Sequence, residues 1–212
     1  MKRILLIASI LILCLISVQA QNLFPAERQL IAAGDTAAAL PVYQITDADE
    51  YQVLRAMSEE VNPADPLLKL LARRMYLAMR DTARPGVGIA APQVGVNRNA
   101  IWVQRFDKPG FPFEFYINPQ IIFFSKMLRK GPEGCLSIPG ERGDVLRSYA
   151  ITLKYQDFSG EWHTEMIEDF TAVIFQHECD HLKGVLFTDR IEQQKEMVLF
   201  PLTEESGLFI GR

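Results

Sequence analysis

Residues 176–184 read Gln-His-Glu-Cys-Asp-His-Leu-Lys-Gly, and the reading of this stretch decides what kind of domain the chain builds. His177 and His181 stand four positions apart, so on a helix the two imidazoles project from one side and can grip a single metal ion. Glu178 sits beside the first of them. In a His-Glu-x-x-His arrangement the histidines hold the metal and the glutamate handles the protons of a water molecule, which points to hydrolysis.

So short a pattern also arises by chance, and its surroundings decide between the two readings. At about 100° per residue, Phe170, Val173, Ile174, His177, Glu178 and His181 share one stripe, so the polar groups continue an otherwise apolar face. Burying two imidazoles and a carboxylate without partners is costly, and a metal would satisfy all three. Ala172, Phe175, Cys179 and Leu182 occupy the remaining sides, which predicts a helix inside the domain. Gly184 supplies a stop signal just past its end.

The chain has 212 residues, long enough for one domain with a proper core, and its 49% hydrophobic content excludes a disordered protein. A net charge of −4 gives no electrostatic case for nucleic acid, and no basic run interleaved with aromatics is present. Residues 1–20 differ from the rest: Lys2 and Arg3, an apolar run from Ile4 to Val18, then Val18-Gln19-Ala20. That order predicts a cleaved signal peptide and an exported, periplasmic or secreted, protein. A membrane association would follow only if the segment stayed attached, and the run is short for a span. Cys14 follows Leu13, where a lipidation site would have a small residue. Past residue 20 only Cys135 and Cys179 remain. Cys179 points about 200° away from His177 around the helix, which makes a bridge to a cysteine at the site awkward.

Residues 21–44 are alanine-rich and are expected to form a spacer or a short outer helix, leaving residues 45–212 as the catalytic domain. Asp65-Pro66 reads as a helix start. Leu67, Leu68, Leu71, Met75, Ala78 and Met79 then give one apolar face, ending near Thr82. Short segments rich in β-branched and aromatic residues follow at Ala100–Gln104, Phe115–Ile117 and Ile121–Phe124. The clearest hairpin joins Ala150–Tyr155 to Glu161–Ile167 through Asp157-Phe158-Ser159-Gly160. A helix, several strands and one buried helix, without strand–helix alternation, predict an α+β domain.

A catalytic zinc-type site takes three protein ligands, so the histidine pair needs another donor. Cys135, in the stretch GPEGCLSIPG, is the candidate: glycines and prolines suggest a tight exposed loop, and thiolate suits a borderline metal. By spacing alone a single cysteine in a loop is more often an ordinary packed or free thiol. GVGIAAPQ, residues 86–93, lacks the strand and acid of a dinucleotide fold and reads as a loop whose backbone can approach a ligand closely.

GVGIAAPQ, EGCLS and QHECDHL, in this order, resemble the peptide deformylase family, whose motifs Gly-x-Gly-x-Ala-Ala-x-Gln, Glu-Gly-Cys-Leu-Ser and Gln-His-Glu-x-Asp-His-Leu they match without a mismatch. The resemblance runs from about Val42 to Ile191. It implies an α+β fold with antiparallel sheets around a central metal-binding helix, and the removal of formyl groups from N-formylmethionyl peptides. By the same resemblance Cys135, His177 and His181 are the metal ligands, Glu178 the general base, and Gln93 with the Leu136 N–H the oxyanion donors. Fe2+ is the implied metal, with Zn2+, Ni2+ or Co2+ as substitutes. Val87 and Gly88 resemble the positions that pair with substrate backbone, and Arg142 an arginine near the peptide groove. Asp180 matches its motif in a supporting place, and His163 reads as a surface residue.

Two features pull against this reading. Formyl groups are removed from nascent chains at the ribosome, whereas the N-terminus reads as an export signal, and an exported deformylase acting on formyl peptides outside the cytoplasm would reconcile them. Gly140, and Asp169-Phe170-Thr171 where small residues are usual, bear on the shape of the groove. A metal-bearing formyl-peptide binder with little turnover is the second reading, against which the presence of both Glu178 and Gln93 argues.

Overall fold

A computed structural model describes residues 21–81, 83, 85–203 and 207–211. Strand β2 (Ala100–Gln104) shows how the sequence builds the core. Its side chains alternate: Ala100 and Trp102 face one apolar cluster, Ile101 and Val103 the other. A period of two buried on both faces requires cover on both sides. One side is covered by helix α3 (Leu68–Met79), whose Leu68, Leu71, Met75 and Met79 are buried. Trp102 Nε1 donates to Ala72 O on that helix at 2.7 Å. The other side is covered by helix α4 (Asp169–His181), through Ala172, Phe175 and Cys179.

The sheet between these helices has the order β1-β2-β3-β6-β7, with β1 Gly88–Ala90, β3 Phe113–Phe124, β6 Ala150–Gln156 and β7 Trp162–Glu168, all paired antiparallel. A second antiparallel sheet, β5-β4-β9-β8, contains β4 Met127–Cys135, β5 Ile138–Ser148, β8 Leu199–Pro201 and β9 Leu208–Gly211. Helices α1 (Pro25–Ala32), α2 (Ala48–Arg55) and α5 (Phe187–Gln193) complete the α+β architecture. Among the described residues no helix is long and apolar enough to cross a membrane.

Three local readings change in the structure. Phe115–Ile117 and Ile121–Phe124 belong to one strand, because the Asn118-Pro119 break is absorbed by register shifts between Ile117 and Gln120 and between Ile121 and Phe123. Asn118 takes φ +50° and is held by Val61, whose N donates to Asn118 Oδ1 and whose O accepts from Asn118 Nδ2, each at 2.9 Å. Asp65 opens a turn ahead of α3 instead of capping it directly: one carboxylate oxygen accepts from Leu67 N, the other from Leu23 N, both at 3.0 Å. The stretch around Cys135 is no exposed loop. Cys135 ends β4, half-buried, and pairs with Ile138 at the start of β5.

Residues 21–44 carry α1 and insert Leu23, Ile31 and Leu40 into the cluster under α3. Buried Arg98 fastens them, its Nε donating to Glu27 Oε1 at 2.9 Å and its Nη2 to Asn22 O at 3.3 Å. The expected signal segment, Met1 to Ala20 with Cys14, lies outside the described residues.

Candidate active site

Helix α4 reaches its site without a free choice of ends. Gly184 stops it at φ +66°, and a Cβ there would lie 2.2 Å from Arg55 O, so the chain can turn here only because this residue has no side chain. The helix presents His177, Glu178 and His181 to the end of β4, where Cys135 waits. Candidate ligand atoms of Cys135, His177 and His181 all lie within 4.8 Å of one another, with Cys135 Sγ 3.2 Å from His181 Nε2. These three are brought together as expected, across more than forty residues of sequence.

The donor set suits a metal. His177 Nδ1 is engaged by Glu133 Oε2 at 2.8 Å, which leaves Nε2 to face the cleft. Glu178 Oε2 and His181 Nδ1 are buried without a hydrogen-bond partner among the described residues, a cost that cationic company would offset for the carboxylate. Burial would push the Cys135 thiol up, but His181 and His177 outweigh it and hold the group well below the usual thiol range. Burial would lower His177, and hydrogen bonds with Cys135 and Glu133 raise it instead. A thiolate between two imidazoles is what a borderline divalent ion binds.

Glu178 behaves differently. Burial pushes its carboxyl up to about 7, with the two histidines pulling the other way, so it can exchange a proton near neutral pH. Gln93 lies in the 3₁₀ turn Ala91–Val94; its Oε1 accepts from Ala90 N at 2.9 Å, which aims Nε2 at Cys135 Sγ, 3.4 Å away, and at Ser137 Oγ, 3.2 Å away. The site opens into a cleft of about 740 Å³. Val87, Gly88 and Leu136 line it, as does exposed Arg142 on β5. Phe170 and Gly140 also line the cleft, whereas Asp169 and Thr171 are not among its lining. His163 lies outside it, half-exposed, with Nε2 2.8 Å from Asp157 Oδ2. Cys179 faces the core, where burial pushes its thiol up to about 12, and both described cysteines are free.

The sequence reading missed the residues that hold the candidate ligands. Arg147 donates to both oxygens of Glu133, at 2.7 and 2.9 Å, and pairs with Asp180, which Arg190 also engages at 2.9 Å. Asp180 thus supports the histidine helix through Arg147. Glu133 stands inside the EGCLS motif and could have been picked out there; Arg147 and Arg190 carry no local signal, because their partners arrive from other elements.

Residues 41–197 match the family model for polypeptide deformylase. A peptide deformylase of Borreliella burgdorferi is 40% identical over 157 residues, covering 74% of this chain and 93% of the relative. One from Prochlorococcus marinus is 36% identical over 159 residues, covering 74% and 76%. Among solved structures, a class I type b peptide deformylase from Acinetobacter baumannii with Met-Ala-Ser bound superposes with a TM-score of 0.65 at 35% identity, covering 73% of this chain and 99% of that one. The enzyme from Thermotoga maritima gives 0.64 at 36%, covering 72% and 97%.

These matches correct the exported location read from the N-terminus. The family removes formyl groups from nascent peptides, work tied to protein synthesis, and the signal-like residues 1–20 lie outside the matched span, so the periplasmic or secreted assignment is withdrawn. With three motifs folded into one cleft, and with relatives covered over most of their length, this chain belongs to the peptide deformylase family.

Proposed function

We propose that the protein hydrolyses the formamide of N-formylmethionyl peptides, releasing formate and a free amino terminus, at the cleft built from β1, the β4–β5 turn and α4. The observation that carries this reading is the convergence of Cys135, His177 and His181 beside buried Glu178, whose Oε2 has no hydrogen-bond partner among the described residues. The Acinetobacter relative was solved with Met-Ala-Ser, the peptide that loss of a formyl group from formyl-Met-Ala-Ser leaves. Residues 45–212 are read as the catalytic domain, with residues 21–44 packed onto it.

Cys135, His177 and His181 are read as the ligands of a divalent metal, Fe2+ first, with Zn2+, Ni2+ or Co2+ as substitutes. When bound, the ion supplies Lewis acidity, which lets water ionise near neutral pH and polarises a carbonyl. Glu178 takes a proton from water at Oε2 and returns it to the departing amine nitrogen, and a carboxyl near 7 suits both transfers. Gln93 Nε2 and the Leu136 N–H donate to the formyl oxygen as it gains charge. Val87 and Gly88 are read as pairing with the peptide backbone, and Arg142 as lying near the peptide groove.

A Cβ on Gly88 would stand 2.4 Å from Glu178 Oε1, so β1 lies close against the proposed base. A formyl-peptide binder without turnover would have no use for Glu178, whose buried charge costs stability. The test is to supply anaerobically iron-loaded protein with formyl-Met-Ala and, separately, Met-Ala. Formate from the first and no free methionine from either supports the reading; methionine release would make the protein a peptidase, and binding without products a binder.

A further inference from the structure

Three consecutive residues ahead of α2 hold the catalytic turns from behind. Tyr43 N donates to Gln93 O at 2.8 Å and Ile45 N to Ser137 O at 3.1 Å. Between them, the Gln44 side chain donates from Nε2 to Leu136 O at 3.1 Å and to Val42 O at 3.0 Å. Two carbonyls around one end of the amide settle its orientation, since only the NH₂ can face both. Gln44 Oε1 is then buried with no partner among the described residues, a cost that an apolar side chain of similar length would avoid. Packing alone does not explain a glutamine here.

The carbonyl that Gln44 holds belongs to the peptide group joining Leu136 to Ser137. The N–H of that same group donates to Cys135 Sγ at 3.4 Å. A hydrogen bond into an amide carbonyl draws charge through the group and sharpens the N–H donor at its other end. We propose that Gln44 is a positioning residue: through the Leu136–Ser137 peptide it sets the strength of the hydrogen bond on the Cys135 sulfur and the direction of the adjoining Leu136 N–H. The proposal rests on the reading of Cys135 as a metal ligand and of the Leu136 N–H as a donor to the formyl oxygen. Gln44 touches neither substrate nor metal; it acts at one remove on a sulfur and a donor that do.

Two consequences separate this role from plain structural support. With Gln44 replaced by an apolar residue, the thiolate loses part of its donor and gives more charge to a bound ion. The Leu136–Ser137 peptide is also freer to turn, which loosens the neighbouring N–H against the reacting oxygen while leaving the cleft walls that bind the peptide in place.

The test uses the full chain loaded with Co2+, whose thiolate charge-transfer absorption reports electron donation from the Cys135 sulfur. In Gln44→Met the band moves to longer wavelength, and kcat on formyl-Met-Ala falls roughly tenfold with KM within about twofold of the parent. Gln44→Leu also removes the donor with an apolar side chain; it moves both readouts the same way and serves if the methionine variant does not fold. A band at the parent wavelength with kcat within twofold of the parent in a folded variant overturns the proposal. So does a lowered kcat with an unmoved band, which is structural support only. A band missing from the parent, or surviving in Cys135→Ser, is a different failure: it removes Cys135 from the ligand set, and the proposal falls with that reading.

Discussion

Glu133 Oε2 lies 2.8 Å from His177 Nδ1, 44 positions away in the chain, and Arg147 grips both oxygens of the same carboxylate. The contact fixes the imidazole tautomer: with Nδ1 turned to Glu133, Nε2 is the nitrogen presented to a metal. The two arginines, two carboxylates and one histidine form a chain from Arg190 through Asp180, Arg147 and Glu133 to His177, a candidate ligand.

Glu133→Gln should therefore weaken metal binding roughly 10- to 100-fold in competition with a chelator. It should also change the response to acid. Burial would raise the Glu133 carboxyl, but Arg147 and His177 overcome it and hold the group at about 2, against an ordinary 4.5. A lowered folded-state pKa gives stability that is present above 4.5 and lost as the pH falls through about 2. In urea unfolding of metal-stripped protein, the parent should lose on the order of 3 kcal/mol across that window that the glutamine variant does not lose. Equal acid slopes in the two proteins would contradict this.

Gly88→Ala places a Cβ 2.4 Å from Glu178 Oε1 and 2.9 Å from Ile174 Cγ2. The carboxylate is the softer neighbour and should move. Turnover is expected to fall about 100-fold or more with metal content unchanged, since small displacements of a reacting group are that costly. Activity within a few fold of the parent would show that β1 is not pressed against the base.

Gln93→Ala removes the Nε2 donor together with the partner of Ala90 N. Losing one oxyanion donor costs about 100- to 1,000-fold in kcat, so steady-state kinetics should show that fall with KM close to the parent. A rise in KM with kcat intact would make Gln93 a substrate-binding group instead.

Gly184→Ala tests the stop of α4. The residue sits at φ +66° and its Cβ would meet Arg55 O at 2.2 Å, so left-handed strain of about 1–2 kcal/mol is joined by a backbone clash. For a chain of this size the Tm should drop by at least about 4 °C. Turnover per folded molecule at 25 °C should change far less, and an unchanged Tm would mean that α4 can end in another way.

Much of this site could be read locally. The α4 stripe and the hairpin of β6 and β7 are governed by periodicity within ten or so residues, and the hairpin strands lie within a residue of where alternation puts them. What escaped depends on distant partners. Asn118 keeps its left-handed backbone, and β3 its continuity, through Val61, 57 positions upstream. Gly and Pro around Cys135 suggest a loop, yet pairing with β5 draws Gly131–Cys135 into a strand. Arg147 has no motif of its own, because its role exists only once β5 lies against α4.

On the proposed mechanism the carboxylate of Glu178 moves the proton, in a site whose metal is held by other groups. Glu178→Ala, loaded to the same metal stoichiometry as the parent, should release formate from formyl-Met-Ala at a rate lower by 100-fold or more, at the strong end of what general acid–base catalysis contributes. Formate release near the parent rate at full metal occupancy would contradict the account.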